Sequence, residues 1–193
     1  MFRIAVFASG NGSNAENIVT YFKDNDQISC ELIISNKREA YVLERASKHN
    51  IAAEYIPRKV FRDNPEKIVE TLQEYNIDFI VLAGFMLLLP KEIIQNYADR
   101  IINIHPALLP SYGGKGMYGM NVHQAVIDAG ERYSGISIHY VNEKYDEGRI
   151  IFQAACPVDE SDTPESLAEK IHQLEYKHYP AVIEQIIQEN LAD

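Results

Sequence analysis

Short apolar runs rich in β-branched residues alternate with longer amphipathic stretches through the first half of the chain. Runs of this kind predict buried strands, and the amphipathic stretches between them predict helices. The predicted strands cover residues 3–8, 28–35, 52–56, 78–83 and 100–104. The predicted helices begin near residue 14, cover residues 40–49 and 65–75, and follow Pro90. This alternation predicts an α/β fold with a doubly wound, mostly parallel, Rossmann-like sheet and helices on both faces.

The pattern changes after residue 105. Prolines and glycines predict a long irregular loop over residues 106–119, and loops of this length usually have a function. Beyond the loop, the sequence predicts one helix, an antiparallel pair of strands and a long C-terminal helix. These elements are expected at residues 121–129, 134–141 with 149–157, and 163 to about 190, with Pro180 as the position for a bend. The parallel sheet is therefore expected to carry an antiparallel C-terminal extension.

The composition is that of a soluble globular domain. The 193 residues are 46% hydrophobic, and the longest apolar run, near residues 79–89, is too short to span a bilayer. The start of the chain lacks the features of a signal peptide, so we expect a cytoplasmic protein with no membrane partner. The two cysteines, Cys30 and Cys156, do not have the spacing of a metal site. We therefore expect no bound metal.

The charge disfavours nucleic acid as a partner. The net charge is −10, with 12 basic and 14 acidic residues in the first 100 positions and 6 basic and 14 acidic residues after them. An acidic surface repels a polyphosphate chain, and no basic stripe interleaved with aromatic residues is present. If the protein binds a phosphate group, the less acidic first half is the expected place.

The first candidate site is the glycine-rich segment at residues 10–14, between the first predicted strand and helix. Glycine lets backbone N–H groups turn inward, and the N-terminus of the following helix adds a partial positive charge. Gly12, Ser13 and Asn14 can therefore bind an anion without a Lys or Arg in the segment. The structural alternative is a tight turn in which Ser13 or Asn14 caps the helix.

The same segment leaves a dinucleotide site as a further alternative. Gly10, Gly12 and Ala15 match the loose Gly-x-Gly-x-x-Ala fingerprint. That fingerprint also requires an acidic residue near the end of the second strand to bind the ribose of NAD. Ser-Asn-Lys-Arg occupies residues 35–38 instead. NADP is therefore a better candidate than NAD if the site holds a nicotinamide cofactor.

The second candidate site is formed by Asn103 and His105, at the end of the fifth predicted strand. Residues two apart in a strand lie on the same face, and ligands of open α/β sheets bind at the carboxyl ends of the strands. An amide donor beside an imidazole suits the stabilisation of an oxyanion together with proton transfer. A structural histidine at the end of a strand is the alternative.

The third candidate is the acidic turn at residues 142–148. On its own, such a turn is typical of a solvated hairpin. If it lies near the second site, one of its carboxylates can favour the protonated form of His105. Metal binding is the competing explanation, but the ligand clusters typical of zinc sites are absent from the sequence.

Five short segments occur in a fixed order along the chain. They are Gly-Asn-Gly-Ser-Asn at 10–14, Leu-Ala-Gly-Phe-Met at 82–86, Asn-Ile-His-Pro at 103–106, Leu-Leu-Pro at 108–110, and Gly-Ile-Ser-Ile-His-Tyr-Val-Asn-Glu-Lys-Tyr-Asp-Glu-Gly at 135–148. Together they resemble the folate-dependent formyltransferases, and the resemblance extends from about residue 3 to about residue 185. It implies one formyltransferase domain, residues 1–193, with a nucleotide-binding lobe at 1–104 and a folate-binding and catalytic lobe at 105–193.

The resemblance also implies an activity. Enzymes of this kind transfer the formyl group of 10-formyltetrahydrofolate to the amine of glycinamide ribonucleotide, in purine biosynthesis, without a metal. The catalytic roles fall on Asn103, His105 and Asp146. Asn103 and His105 would stabilise the charge on the formyl oxygen, and His105 would pass a proton toward the leaving folate nitrogen.

The binding residues implied by the resemblance lie in two groups. The substrate residues are Gly12, Ser13 and Asn14 for the phosphate, and His172, Gln173, Leu174 and Glu175, with Glu175 as the ribose ligand. The residues for the folate co-substrate are Asn64, Met86, Leu87, Leu88, Leu89, Asn103, Asn142 and Asp146. Asn64 and Leu87 stand where related sequences often have Arg, and the loop at residues 113–120 is expected to be a mobile flap over the site.

Two other functions use a similar set of residues. A 10-formyltetrahydrofolate hydrolase has the same catalytic groups but uses water as the acceptor. A folate- or nucleotide-binding module without catalysis would make the grouping of Asn103, His105 and Asp146 a coincidence. Small-molecule substrates are the only partners expected beyond the chain itself, which we expect to be a monomer or a weak homodimer.

Overall fold

In the computed structural model, which describes residues 1–192, strands and helices alternate along most of the chain. The strands are β1 (Phe2–Phe7), β2 (Ile28–Ser35), β3 (Ala52–Tyr55), β4 (Phe79–Leu82), β5 (Ile101–His105), β6 (Tyr133–Tyr140) and β7 (Ile150–Pro157). The helices are α1 (Ser13–Tyr21), α2 (Tyr41–Lys48), α3 (Arg58–Asp63), α4 (Glu66–Glu74), α5 (Lys91–Asn96), α6 (Met120–Asp128) and α7 (Pro164–Ala192).

All seven strands form one sheet in the order β3-β2-β1-β4-β5-β6-β7. Strands β1 to β5 are parallel, β6 is antiparallel to β5, and β7 is antiparallel to β6. The chain winds outward from β1 through β2 and β3, and then returns to the other side of β1 with β4, so the strand order reverses between β1 and β4. The expected doubly wound sheet with an antiparallel extension and a long C-terminal helix is confirmed.

The two faces of the sheet bury separate cores, because successive strand residues point to opposite faces. In β1, Ile4 and Val6 belong to one core and Ala5 and Phe7 to the other, and all four side chains are buried. Helices α1, α2, α6 and α7 contribute to the first core, and α3, α4 and α5 to the second. Burial on both faces explains why β4 and residues 4–7 of β1 are continuously apolar in sequence.

Helix α3 was not expected from the sequence. It has six residues, of which only Phe61 is buried. A single buried position gives no helical periodicity, and so a helix this short has no recognisable pattern. The helix after it was expected, and Pro65 stands directly before α4.

Helix α7 continues through Pro180, the position at which the sequence suggested a bend. Proline has no N–H to donate to the carbonyl of the residue four positions earlier, which here is Tyr176. The side-chain Nδ2 of Asn17 in α1 donates to that carbonyl instead, at 2.9 Å. The contact between helices therefore replaces the bond that proline removes. Although α7 has 29 residues, no helix in the described part of the chain is long and apolar enough to cross a membrane.

Candidate active site

The polar segments identified in the sequence lie at the carboxyl edge of the parallel strands. Residues 8–12 follow β1, residues 83–90 follow β4, and residues 106–119 follow β5. Because β1, β4 and β5 are neighbours in the sheet, these three segments lie side by side. The edge between β1 and β4 is also the point where the strand order reverses, which is where ligands bind in sheets of this type.

The glycine-rich segment turns into α1 at Gly12, which has a φ of 75°. A Cβ atom on Gly12 would lie 2.3 Å from Cγ2 of Val42 in α2, so only glycine fits here without displacing α2. Gly12 is the N-cap and no side chain caps α1. The structural alternative with Ser13 or Asn14 as N-cap is therefore wrong, since both residues lie within the first turn. The N–H groups of that first turn have no partner within the helix and provide donors for an anion.

Arg45 of α2 supports this segment, a contact that the sequence analysis missed. Its Nε donates to the carbonyl of Asn11 at 2.9 Å, and its Nη2 donates to Oδ1 of the same residue at 2.7 Å. Nη1 of Arg45 also pairs with Glu16 in α1. The segment has no basic residue of its own, but a guanidinium from the next helix holds its backbone in place. The two helices are far apart in sequence, and nothing local indicates the contact.

Helix α7 contributes Glu175, whose Oε2 accepts a hydrogen bond from Nδ2 of Asn14 at 2.8 Å. Glu175 is buried, and burial raises the pKa of its carboxyl. One turn later, the fully buried Tyr179 donates its hydroxyl to the carbonyl of Leu82 at 2.8 Å and fixes α7 to the end of β4. Oδ1 of Asn14 is buried without a hydrogen-bond partner among the described residues.

The other α7 residues assigned to the substrate differ in position. His172 and Gln173 are exposed, and the ring of His172 stacks on that of Tyr176 at a centroid distance of 6.0 Å. Leu174 is half-buried and packs against the core. Of the four positions from 172 to 175, Glu175 is the one that the structure joins to the glycine-rich segment.

Ser9 joins the segment after β1 to the segment after β4. Its hydroxyl accepts a hydrogen bond from the N–H of Met86 at 2.9 Å and donates to Oδ1 of Asn36 at 2.5 Å. Along residues 86–89, exposure alternates, so that Met86 and Leu88 are exposed, Leu87 is half-buried and Leu89 is buried. Two apolar side chains therefore face solvent beside the glycine-rich segment, which suits a flat aromatic ligand.

Two residues assigned to the folate make local contacts in this structure. The amide of Asn64, in the connection between α3 and α4, is exposed and lies 3.4 Å from Oε1 of Glu66. Oδ1 of Asn142 accepts a hydrogen bond from the N–H of Lys144 at 2.9 Å, which shapes the turn before Asp146. Asn64 is thus tied to the α4 terminus, and Asn142 to the acidic turn.

Asn103, His105 and Asp146 come together, as the sequence analysis expected of these residues. Nδ1 of His105 lies 3.6 Å from Oδ2 of Asp146, and that oxygen accepts a hydrogen bond from the N–H of Gly114 at 2.9 Å. Nε2 of His105 lies 2.7 Å from the carbonyl of Tyr112. Because a carbonyl only accepts, the neutral ring carries its proton on Nε2 and directs the lone pair of Nδ1 toward Asp146.

His139 completes the cluster, and the sequence analysis missed it. It lies opposite Asn103 in the antiparallel register of β5 and β6. Its Nδ1 is 2.8 Å from the carbonyl of Tyr140, so its Nε2 can accept from Nδ2 of Asn103 at 3.2 Å. The same Nε2 lies 3.6 Å from Oδ1 of Asp146. Only the pairing of β6 with β5, which the sequence did not predict, places His139 here.

Burial dominates the proton affinity of His105. It lowers the pKa of the imidazole, and the nearby His139 lowers it further, whereas Asp146 and the carbonyl of Tyr112 raise it. Asp146 thus favours protonation of His105, as the sequence analysis expected, but burial outweighs this effect. Burial also disfavours the charged carboxylate of Asp146, but its interactions with His139, His105 and the N–H of Gly114 together lower the pKa of Asp146.

The loop after β5 is anchored to β6 through Ser137. Its hydroxyl donates to the carbonyl of Ala107 at 2.7 Å and accepts from the N–H of Leu109 at 2.9 Å. Gln153 of β7 donates to the Leu109 carbonyl at 3.0 Å. These bonds hold the first residues of the loop directly after His105. The loop itself is irregular over residues 106–119, as expected.

No cluster of three or more His, Cys, Asp or Glu side chains suited to a metal ion occurs in the part of the chain that the structure describes. The cluster around Asp146 offers an amide donor, one carboxylate and two imidazoles that can exchange protons. Such a set can stabilise an oxyanion and transfer a proton.

Comparison with known proteins agrees with this geometry. The model of the formyl transferase family matches residues 2–183. A chloroplastic phosphoribosylglycinamide formyltransferase from Arabidopsis thaliana is 42% identical over 98% of this chain, and one from Bacillus subtilis is 41% identical over 97%. The crystal structure of a phosphoribosylglycinamide formyltransferase from Anaplasma phagocytophilum superposes with a TM-score of 0.88 at 37% identity, covering 97% of this chain and 88% of that one.

The relatives differ in length. This chain spans 66% of the Arabidopsis protein and 62% of a similar chloroplastic protein from Vigna unguiculata, but 95% of the Bacillus subtilis protein. The matched region includes the glycine-rich segment, the end of β5 and the acidic turn. The chain therefore belongs to the formyl transferase family.

Proposed function

We propose that the protein transfers the formyl group of 10-formyltetrahydrofolate to the amine of glycinamide ribonucleotide, giving formylglycinamide ribonucleotide and tetrahydrofolate. The observation that carries this proposal is the meeting of Asn103, His105 and Asp146, at the same sheet edge as a helix terminus without a side-chain cap, in a member of this family. The relatives from Arabidopsis thaliana and Bacillus subtilis are phosphoribosylglycinamide formyltransferases, which supports glycinamide ribonucleotide as the acceptor and does not favour the hydrolase alternative.

The reaction begins when the glycinamide amine attacks the formyl carbon and negative charge develops on the formyl oxygen. One N–H of the Asn103 amide donates to His139, which leaves its second N–H for that oxygen. His105, protonated at Nδ1, adds a charged donor. Asn103 is held in this orientation by the β5–β6 register, so little reorganisation is needed as the charge develops.

Proton transfer falls to Nδ1 of His105. Nε2 is occupied by the carbonyl of Tyr112, and Nδ1 faces Asp146 and the open site. As the tetrahedral intermediate breaks down, the attacking amine loses a proton and the leaving folate nitrogen gains one. Asp146 stabilises the imidazolium at this step, and burial of the ring makes that proton easy to release.

Substrate binding uses the first turn of α1 and helix α7. The N–H groups of Ser13 and Asn14 are the proposed donors to the phosphate, with Gly12 allowing its close approach. Glu175 is the proposed ligand of the ribose hydroxyls, because its carboxylate is fixed by Asn14 next to the phosphate site. Anchoring the phosphate far from the amine lets binding energy orient the nucleophile.

The folate is proposed to lie across the ends of β4 and β5. The exposed side chains of Met86 and Leu88 offer an apolar surface for the pterin, and the acidic turn that contains Asn142 reaches the end of β5 through the contact of Asp146 with His105. Leu87, Leu89 and Asn64 complete the proposed set, with the half-buried Leu87 and the buried Leu89 supporting the segment from below.

The test is turnover of 10-formyltetrahydrofolate with and without glycinamide ribonucleotide. We expect turnover only with the nucleotide, with the formyl group recovered on it. His105→Ala should lower kcat by roughly 10²–10⁴-fold, the usual contribution of a positioned acid or base, with little change in KM. Release of formate at the same rate without the nucleotide would instead identify a hydrolase, and an unchanged kcat in His105→Ala would make His105 a structural residue.

A further inference from the structure

Tyr112 connects His105, the proposed proton-transfer residue, to the carboxylate of Glu131 at the surface. Its backbone carbonyl lies 2.7 Å from Nε2 of His105, and its hydroxyl donates to Oε1 of Glu131 at 2.8 Å. Glu131 follows α6 directly before β6, and its own N–H donates to the carbonyl of Val126. One residue therefore joins the ring of His105 to a carboxylate held on the connection between α6 and β6.

The backbone of Tyr112 needs such an anchor. Its φ is 56°, in the left-handed region, which is strained for a bulky residue. A cavity of about 190 Å³ adjoins the residue, lined among others by Leu108, Val126 and Ser134. Tyr112 packs against the core on one side but lines this space on another, so packing alone does not fully confine the ring. The bond to Glu131 supplies the missing restraint.

We propose that Tyr112 is a positioning residue, because its bond to Glu131 holds its carbonyl against Nε2 of His105 and keeps the ring proton on that nitrogen. Nδ1 then remains the nitrogen that faces Asp146 and the reacting groups. This role rests on the proposed function, in which Nδ1 of His105 exchanges the proton. The other groups that act on His105 are Asp146 and His139, and neither contacts the Tyr112 hydroxyl in the hydrogen bonds of the described residues.

The decisive variant is Tyr112→Phe, which removes the hydroxyl and retains the ring. We expect kcat to fall by roughly 10- to 10²-fold, the cost of a small misplacement of a catalytic group, with KM for both substrates unchanged. The chain offers a matched control, because Tyr21 donates to Glu184 at 2.7 Å on the far ends of α1 and α7. Tyr21→Phe removes the same type of bond and should leave kcat unchanged.

A substrate-free measurement separates positioning from stability. The ¹⁵N chemical shifts of the His105 ring report which nitrogen carries the proton, and we expect the Nε2–H tautomer to lose population in Tyr112→Phe but not in Tyr21→Phe. Glu131→Gln keeps an acceptor oxygen and should remain near wild type in tautomer and kcat, whereas Glu131→Ala should behave like Tyr112→Phe.

The proposal is overturned if Tyr112→Phe keeps the wild-type tautomer and kcat, even if its thermal stability falls. It is also overturned if Glu131→Ala leaves both quantities unchanged. Because the tautomer is read without substrate, this outcome is distinct from a failure of the proposed function, which would appear as absent turnover in the wild-type protein.

Discussion

At the scale of single residues, the site depends on opposing effects on one imidazole. His105 is 3% exposed, and its burial disfavours the proton that Asp146 favours. As a result, His105 loses its proton readily, but its imidazolium still faces the carboxylate of Asp146. A histidine on the surface would have neither the desolvation nor the fixed partner, so burial beside Asp146 gives His105 both a ready release of its proton and a stabilised charged form.

Asp146→Asn tests this balance. Asp146 has a φ of 55°, and Asn tolerates the left-handed region better than other side chains, so the backbone of the turn is retained. Without the carboxylate, the pKa of His105 should fall further, and the protonated form should appear only at lower pH. We expect kcat to fall by roughly 10²-fold and the pH–rate profile to shift to lower pH. NMR titration of the His105 ring measures the shift in pKa directly.

The neighbouring carboxylate provides the control for that experiment. Glu147 is exposed and pairs with Lys144 at 2.9 Å, away from the imidazoles. Glu147→Gln should leave the His105 titration and kcat as in wild type. Equal pKa values for His105 in wild type and Asp146→Asn, or a larger effect from Glu147→Gln, would contradict the assigned role of Asp146.

At the scale of elements, the connection between β1 and α1 depends on one backbone conformation at Gly12. Gly12 has a positive φ and lies against Val42, so Gly12→Ala is strained in both respects and should push α2 away from the segment. We expect a stability loss of roughly 1–3 kcal/mol, measured by urea unfolding. KM for glycinamide ribonucleotide should rise, while KM for the folate stays unchanged.

Two comparisons isolate the phosphate contact. Gly10→Ala, in the same segment, places its Cβ where no atom lies within 4 Å and should change neither stability nor KM. A glycinamide riboside without the phosphate should bind wild type and Gly12→Ala equally weakly. If Gly12→Ala raises KM for the folate instead of the nucleotide, the phosphate site has been assigned to the wrong segment.

The same elements show what local sequence can and cannot predict. The buried parallel strands and the long helices were predictable, because burial imposes a period or a continuous apolar run. The pairing of β5 with β6 was not predictable, because no local sequence feature indicates which strands pair with each other. His139 was therefore missed although it stands opposite Asn103, and Arg45 was missed because its contact with Asn11 joins α2 to the segment before α1. Asp146 was found only because the family resemblance supplied the long-range link.

At the scale of the whole molecule, α7 joins parts of the site that are distant in sequence. It packs against α1, α6 and the sheet, and it holds Glu175 against Asn14 and Tyr179 against the end of β4. Helix α6 also packs against α7, and it carries His123, which is 3% exposed. Loss of packing between α6 and α7 is therefore expected to disturb substrate binding and stability together.

His123 makes the stability of the whole molecule depend on pH. Burial, followed by the charges of His172 and His105, lowers its pKa from 6.5 to about 4, and its Nδ1 has no hydrogen-bond partner among the described residues. The unfolded chain therefore binds this proton more tightly, and stability is lost as pH falls from the unfolded pKa toward the folded one. Between about pH 7.5 and about pH 5 the loss from this group is about 2 kcal/mol. In His123→Gln, urea unfolding should show a loss of stability over this range that is smaller than in wild type by about that amount. His172→Gln removes one of the charges that lower the pKa of His123, so its loss should lie between those of wild type and His123→Gln. An equal loss in wild type and His123→Gln would show that other groups set the acid sensitivity.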